Sequence, residues 1–359
     1  MDREKTFLIV TGLIIGILAA VLVVLGNPGN MGFCIACFLR DVTGALGFQR
    51  AGVVQYMRPE IIGLVIGAFV AAFSAGEFRS RGGSSTLVRF FLGMFMMIGA
   101  LVFLGCPLRG ILRIGGGDLN AVVGLAGFIG GVLLGVFFLR RGFDLGAART
   151  DKGSQVGGYI MIAIAVVLLI MLVTGINFNP DAGGPLFFSK EGPGSMHAPL
   201  LISLGAGVVV GFLAQKARLC LSGGFRDFFL IREYGMLLAY LGIFVGVLVL
   251  NIYFGKFNLG FANQPIAHTN HIFNFLGLFL VGLSAVLLGG CPLRQIILGS
   301  EGDTDATTAV LGMVAGAAIS HNFLLASSAA GTTHWGEAAV IIGIIVVSFI
   351  GWAYREVDA

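Results

Sequence analysis

Gly105-Cys106-Pro107-Leu108-Arg109 recurs, residue for residue, as Gly290-Cys291-Pro292-Leu293-Arg294. An aspartate lies 12 residues past the cysteine of each copy, Asp118 and Asp303. Upstream, Cys34-Ile35-Ala36-Cys37-Phe38-Leu39-Arg40-Asp41 pairs with Cys220-Leu221-Ser222-Gly223-Gly224-Phe225-Arg226-Asp227, both reading C-x5-R-D. The two motifs are separated by 72 residues in the first half of the chain and 71 in the second. Several matches in register mark a duplicated unit, joined between about 149 and 199.

The solvent of this duplicated unit follows from composition. Of 359 residues, 57% are hydrophobic and 11% charged, with a mean hydropathy of +0.96. A soluble domain carries about 25% charged residues. The chain lacks the polar side chains to cover a soluble core, which excludes a soluble enzyme, a disordered protein and a nucleic-acid binder. Its 57 glycines are more than twice the average usage of about 7%. Glycine lets membrane helices approach closely and permits breaks in them. The net charge of +4 carries little information, because in a membrane protein the placement of Lys and Arg decides orientation. The charged start, Met1 to Lys5, precedes an apolar run longer than a signal-peptide core of about 7–15 residues, without a small-x-small cleavage site after it. It reads as a first span.

Stretches of about 20 apolar residues predict ten spans, near 7–26, 60–77, 87–105, 119–140, 155–176, 198–216, 235–254, 272–290, 306–325 and 335–353. With the N-terminus in the cytoplasm, 15 of the 22 Lys and Arg fall inside, so both termini are expected there. The loop near 177–197 becomes the longest external segment. Five spans per unit is an odd number, so the second copy enters the membrane from the opposite side. The expected fold is all-α: a polytopic membrane protein of two inverted repeats with pseudo-twofold symmetry and re-entrant or broken helices. Residues 1–150 form the first repeat, 151–197 a span and external connector, and 198–359 the second repeat.

Within GCPLR, glycine tolerates a helix break and proline suits the first turn of a new helix. Gly105 and Gly290 are therefore expected to end one helix, and Pro107 and Pro292 to begin another. Each cysteine falls at the break, beside N–H groups that lack intrahelical partners and attract anions. The plainer reading is a surface turn whose cysteine packs as a small apolar residue; recurrence at matched positions weighs against it. Arg40-Asp41 and Arg226-Asp227 read as structural pairs locking a re-entrant loop, because ions deep in hydrocarbon need partners. Gly223 and Gly224 are expected to loosen the second C-x5-R-D turn. His268, His271 and His334 read as solvated loop residues. No metal site is expected, since no histidine clusters with the cysteines, and no Walker A or other cofactor motif is present.

A protonated thiol is a weak donor and a polarizable surface, suited to a soft sulfur- or selenium-bearing species. Cys34, Cys106, Cys220 and Cys291 are the candidate binding and relay residues, with Cys37, Arg109 and Arg294 as accessory candidates. On the predicted topology Cys34 and Cys106 lie toward the outer half and Cys220 and Cys291 toward the inner half. Two alternatives stay open: a membrane thiol-disulfide oxidoreductase using Cys34 and Cys37, and a soft-metal channel.

The run from Gly26 to Asp41, with both GCPLR copies, resembles the YeeE/YedE family of bacterial inner-membrane sulfur transporters, most of all its YedE branch. That branch is proposed to move a selenium compound. The resemblance covers nearly the whole chain and implies an hourglass-shaped helical importer, not an enzyme, in the bacterial inner membrane. By motif it places the relay at Cys34, Cys106 and Cys291, with Cys220 as a fourth position. Cys37 departs from the family's single-thiol pattern. The resemblance also implies a small cytoplasmic sulfurtransferase-like partner protein.

Overall fold

A chain in hydrocarbon must satisfy its backbone N–H and C=O groups internally, and each of the ten apolar stretches accordingly contains a helix. The computed structural model describes residues 3–146, 148–150, 155–174 and 186–355. The first part of the predicted external loop at 177–197, up to residue 185, lies outside the described residues. Fourteen α-helices are present among them, with no strand: α1 (Arg3–Val24), α2 (Ile35–Ala45), α3 (Pro59–Ser74), α4 (Thr86–Phe103), α5 (Pro107–Gly115), α6 (Leu119–Arg140), α7 (Ile160–Val173), α8 (Leu200–Lys216), α9 (Leu221–Ile231), α10 (Gly235–Tyr253), α11 (His271–Leu288), α12 (Pro292–Ser300), α13 (Thr304–Asn322) and α14 (His334–Ala353).

Eight helical stretches among the described residues are long and apolar enough to cross a membrane. Three of them run through a break: Thr86–Gly115, Leu200–Ile231 and His271–Ser300. The protein is thus an all-α polytopic membrane protein, with fewer full-length spans than the ten expected. α3 falls short because 16 residues reach only about 24 Å of helix. α13 is long enough but carries Asp305, Thr307, Thr308, Ser320 and His321.

Four helix pairs hold the bundle: α1 with α10, α3 with α8, α4 with α13, and α6 with α11. Each rests on a glycine pair four residues apart, set against backbone carbonyls of the partner. A Cβ at Gly127 or Gly131 of α6 would strike the Phe275 or Phe279 carbonyl of α11, and one at Gly312 or Gly316 of α13 the Phe90 or Met94 carbonyl of α4. Gly12 and Gly16 meet Ala239 and Ile243 in the same way, and Gly207 and Gly211 meet Glu60 and Leu64. Small residues at four-residue spacing let helix backbones touch in a membrane, where no hydrophobic drive separates helix from lipid. The halves trade partners position for position: 127, 131, 90 and 94 each shift by 185 to give 312, 316, 275 and 279. Gly131→Leu is expected to cost about 1–3 kcal/mol by overpacking. Gly205→Leu, at a position with no atom within 4 Å of the added Cβ, should cost nothing. Thermal unfolding in detergent measures both.

The exchange stops at the last helix of each half. α14 lies on α4 and α11, whereas α7 lies on α3, α12 and α13.

Candidate functional site

Both GCPLR segments break a helix as their sequence demands. α4 ends at Phe103, with Leu104 in the left-handed region (φ 66°). α11 ends at Leu288, and there the corresponding left-handed residue is Gly289 (φ 79°). Gly105 and Gly290 follow, and Pro107 and Pro292 open α5 and α12 at the first turn. The C-x5-R-D motifs open helices as well, where the sequence led to the expectation of a locked re-entrant loop. Cys34, Cys106, Cys220 and Cys291 are the N-cap residues of α2, α5, α9 and α12. Each thiol therefore sits where the first N–H groups of a helix have no intrahelical acceptor. The Cys34 Sγ accepts from the Cys37 N–H and the Cys220 Sγ from the Gly223 N–H, both at 3.3 Å. Gly223 and Gly224 do not loosen a turn as expected; they lie inside the first turns of α9, where the cap already orders the backbone.

All five thiols are free and buried, and they gather into two clusters. In the first, the Cys34 and Cys37 sulfurs are 2.8 Å apart, and Cys106 contacts Cys34 through its side chain. In the second, Cys220 contacts Cys291, the Cys291 N–H points at the Cys220 Sγ at 3.5 Å, and the Ser222 hydroxyl lies 3.2 Å from the same sulfur. Tyr240 of α10, which the sequence reading missed, lies near both clusters. Its buried hydroxyl is within electrostatic reach of Cys291, Cys220 and Cys106, yet it has no hydrogen-bond partner of normal geometry. No three Cys, His, Asp or Glu groups among the described residues are placed to hold a metal ion.

The two GCPLR arginines have different surroundings. Arg109 is fully buried. Its guanidinium donates to the carbonyl oxygens of Asn30 (3.2 Å), Leu104, Pro265 (3.5 Å) and Ile266 (3.4 Å), and reaches the Cys37 Sγ at 3.8 Å. Among the described residues it has no carboxylate partner. Arg294 instead pairs with Glu301 at 3.1 Å, and Glu301 also faces Arg81 at 3.5 Å. Residue 301 lies 185 positions beyond Gly116, where a Cβ would strike the Asn30 side chain. A second buried ion pair, Arg113 to Asp118 at 2.6 Å, anchors the turn after α5. Its counterpart position holds Leu298, so recurrence could not reveal Arg113; its place five residues before Asp118 was the available signal.

The Arg-Asp pairs form as expected but not alike. Asp41 binds both Arg40 and Arg58 at 2.7 Å, all three buried. Arg226 and Asp227 also meet at 2.7 Å, each about one-third exposed. His271 and His334 are exposed as expected, but His268 is buried. Its Nε2–H donates to the Val102 carbonyl at 2.8 Å while Nδ1 accepts from the Asn270 N–H at 3.2 Å.

Residues 216–353 match a family model described as sulphur transport. Over 107 residues the chain is 31% identical to the thiosulfate transporter TsuA of Escherichia coli (strain K12). That alignment covers 30% of this chain and 30% of the relative's length. The family-model segment contains Cys220, Cys291 and the second GCPLR copy. Both matches support the resemblance to YeeE/YedE sulfur transporters, and both are with transporters rather than enzymes.

Proposed function

We propose that this chain imports a small sulfur- or selenium-bearing anion, such as thiosulfate or a selenium analogue, through a path lined by cysteines. The observation that carries this reading is the gathering of four N-cap thiols, two from each half, into two buried clusters, the first beside a buried arginine that has no carboxylate partner among the described residues. An anion gains from Arg109 and the helix N-termini. A soft sulfur or selenium atom gains from polarizable S–H groups that bind weakly enough to release it. Cys34 with Cys106 makes the first station and Cys220 with Cys291 the second, and Tyr240 stands at the passage between them. On this reading the halves are inverted repeats in a bacterial inner membrane, divided after α7, with both termini cytoplasmic. The position-for-position exchange of helix partners supports a pseudo-twofold relation between the halves. A small cytoplasmic sulfurtransferase-like protein is the partner that would take up the delivered sulfur.

Uptake of labelled thiosulfate and labelled selenium oxyanions into proteoliposomes tests the reading. Cys106→Ala and Cys291→Ala are each expected to fall to the rate of protein-free vesicles. Full-rate transport by both variants would remove the thiols from the path.

The short Cys34 to Cys37 distance favours one second reading, a thiol-disulfide oxidoreductase. It requires a disulfide that forms and breaks during turnover. Thiol trapping during uptake separates the two, because the importer keeps both thiols reduced throughout.

A further inference from the structure

Between α7 and the rest of the bundle lies a crevice of about 250 Å³ whose surface exposes no polar atom. Its walls include Val42 of α2, Val65 of α3, Ile296 of α12 and Val310 of α13, closed over by Ala165 and Leu168 of α7. Two wall residues carry hydroxyls, and both are turned inward. Thr43 donates to the Leu39 carbonyl at 2.6 Å and Thr307 to the Asp303 carbonyl at 3.0 Å. Water entering the crevice would therefore find no partner, and an apolar void of this kind stays dry. Left empty, its lining forfeits dispersion contacts on one side.

The crevice opens at Phe48, Ile164 and Leu311, which are 59%, 38% and 45% exposed. Ile164 lies midway along α7, a helix whose 14 residues are all apolar and of which only Met161 and Ala165 are buried. The mouth therefore faces the bilayer, and the gap exists because α7 rests lightly on the bundle. We infer that this crevice is a lipid site that holds one acyl chain of a bilayer phospholipid. The chain lies against α2 and α12, which begin at Cys34 and Cys291, so it braces one thiol-bearing helix from each half. The site is independent of what the thiols carry.

A bound chain differs from ordinary surrounding lipid in how slowly it exchanges. Full-length protein carrying Trp335→Phe and Trp352→Phe has no native tryptophan, since the chain contains two. Into it, Leu168→Trp places a reporter on the crevice wall, and Ile345→Trp places one on the exposed face of α14 (64% exposed). Both are reconstituted in phosphatidylcholine with brominated acyl chains, which quench tryptophan, and are then mixed with excess unbrominated vesicles. The Ile345→Trp signal should recover at once, while Leu168→Trp stays mostly quenched. Equal recovery of the two, or a Leu168→Trp protein never quenched, overturns the site. Native mass spectrometry supplies the second measurement: one retained phospholipid is expected, lost in Ala165→Trp, whose indole fills the crevice. Retention of an isoprenoid quinone in place of a phospholipid would overturn the class of ligand.

Discussion

Arg109→Gln should cut uptake of a sulfur or selenium oxyanion by about tenfold to a hundredfold. Hydrogen bonds to a charged group contribute roughly 1.5–3 kcal/mol, and each 1.4 kcal/mol is about a factor of ten. A guanidinium in a membrane interior is costly unless compensated. Here carbonyl dipoles from Asn30, Leu104, Pro265 and Ile266 supply the compensation, and no carboxylate does among the described residues. The net positive charge therefore remains beside the Cys34 and Cys37 thiols, where an entering anion would neutralise it. Arg109→Lys should recover only part of the rate, because one ammonium cannot span acceptors arranged around a planar fork. Arg294→Gln is the contrast. Glu301 already neutralises that guanidinium, so the same change at the second cluster should slow uptake less. Initial rates in proteoliposomes, with correctly folded protein confirmed by size-exclusion profile, measure all three. Equal losses at Arg109 and Arg294 would show that the charge difference between the clusters has no bearing on transport.

The recurrence that assigned Arg109 and Arg294 to matched positions was plain in the sequence; their opposite environments were not. The difference comes from Glu301, whose counterpart Gly116 is a glycine because Asn30 leaves no room for a side chain. Such a reason exists only once Asn30 has been folded against α5. Local breaks were legible because glycine and proline act on their own backbone, and Gly105-Cys106-Pro107 needs no distant partner to end one helix and start another. α2 and α9 were not, because 11 residues with an internal arginine and glycine fall below any span-length window and no proline marks their start. Tyr240 was hidden for another reason. One tyrosine in an apolar helix is unremarked until the fold brings cysteines of both halves into its neighbourhood. Arg58 was similarly invisible, since its carboxylate partner lies 17 residues earlier on another helix.

Arg58 makes the two C-x5-R-D motifs, alike in sequence, unequal in energy. Asp41→Asn should destabilise the protein by about 3–5 kcal/mol, the range for breaking a buried ion pair and leaving its partner uncompensated. Two guanidiniums lose their counter-charge at once, Arg40 and Arg58, both held at 2.7 Å. Arg58 also donates to the carbonyl oxygens of Pro193 (2.8 Å) and Met196 (3.0 Å), so the loss extends to the segment that leads into α8. Asp227→Asn removes the corresponding carboxylate from Arg226 alone, at a site one-third open, where exposed pairs contribute about 0–1 kcal/mol. Unfolding of the two variants in mixed micelles, followed by helix content against denaturant, measures the difference directly. A destabilisation of equal size would mean that the Arg226 pair is shielded as deeply as the Arg40 pair. An intact Asp41→Asn protein would mean that the carbonyls around Arg58 can hold its charge without the aspartate. Since α2 carries Cys34 at its N-cap and Asp41 in its second turn, loss of this anchor should also loosen the first thiol cluster. Faster alkylation of Cys34 and Cys37 in Asp41→Asn than in Asp227→Asn is the expected chemical readout.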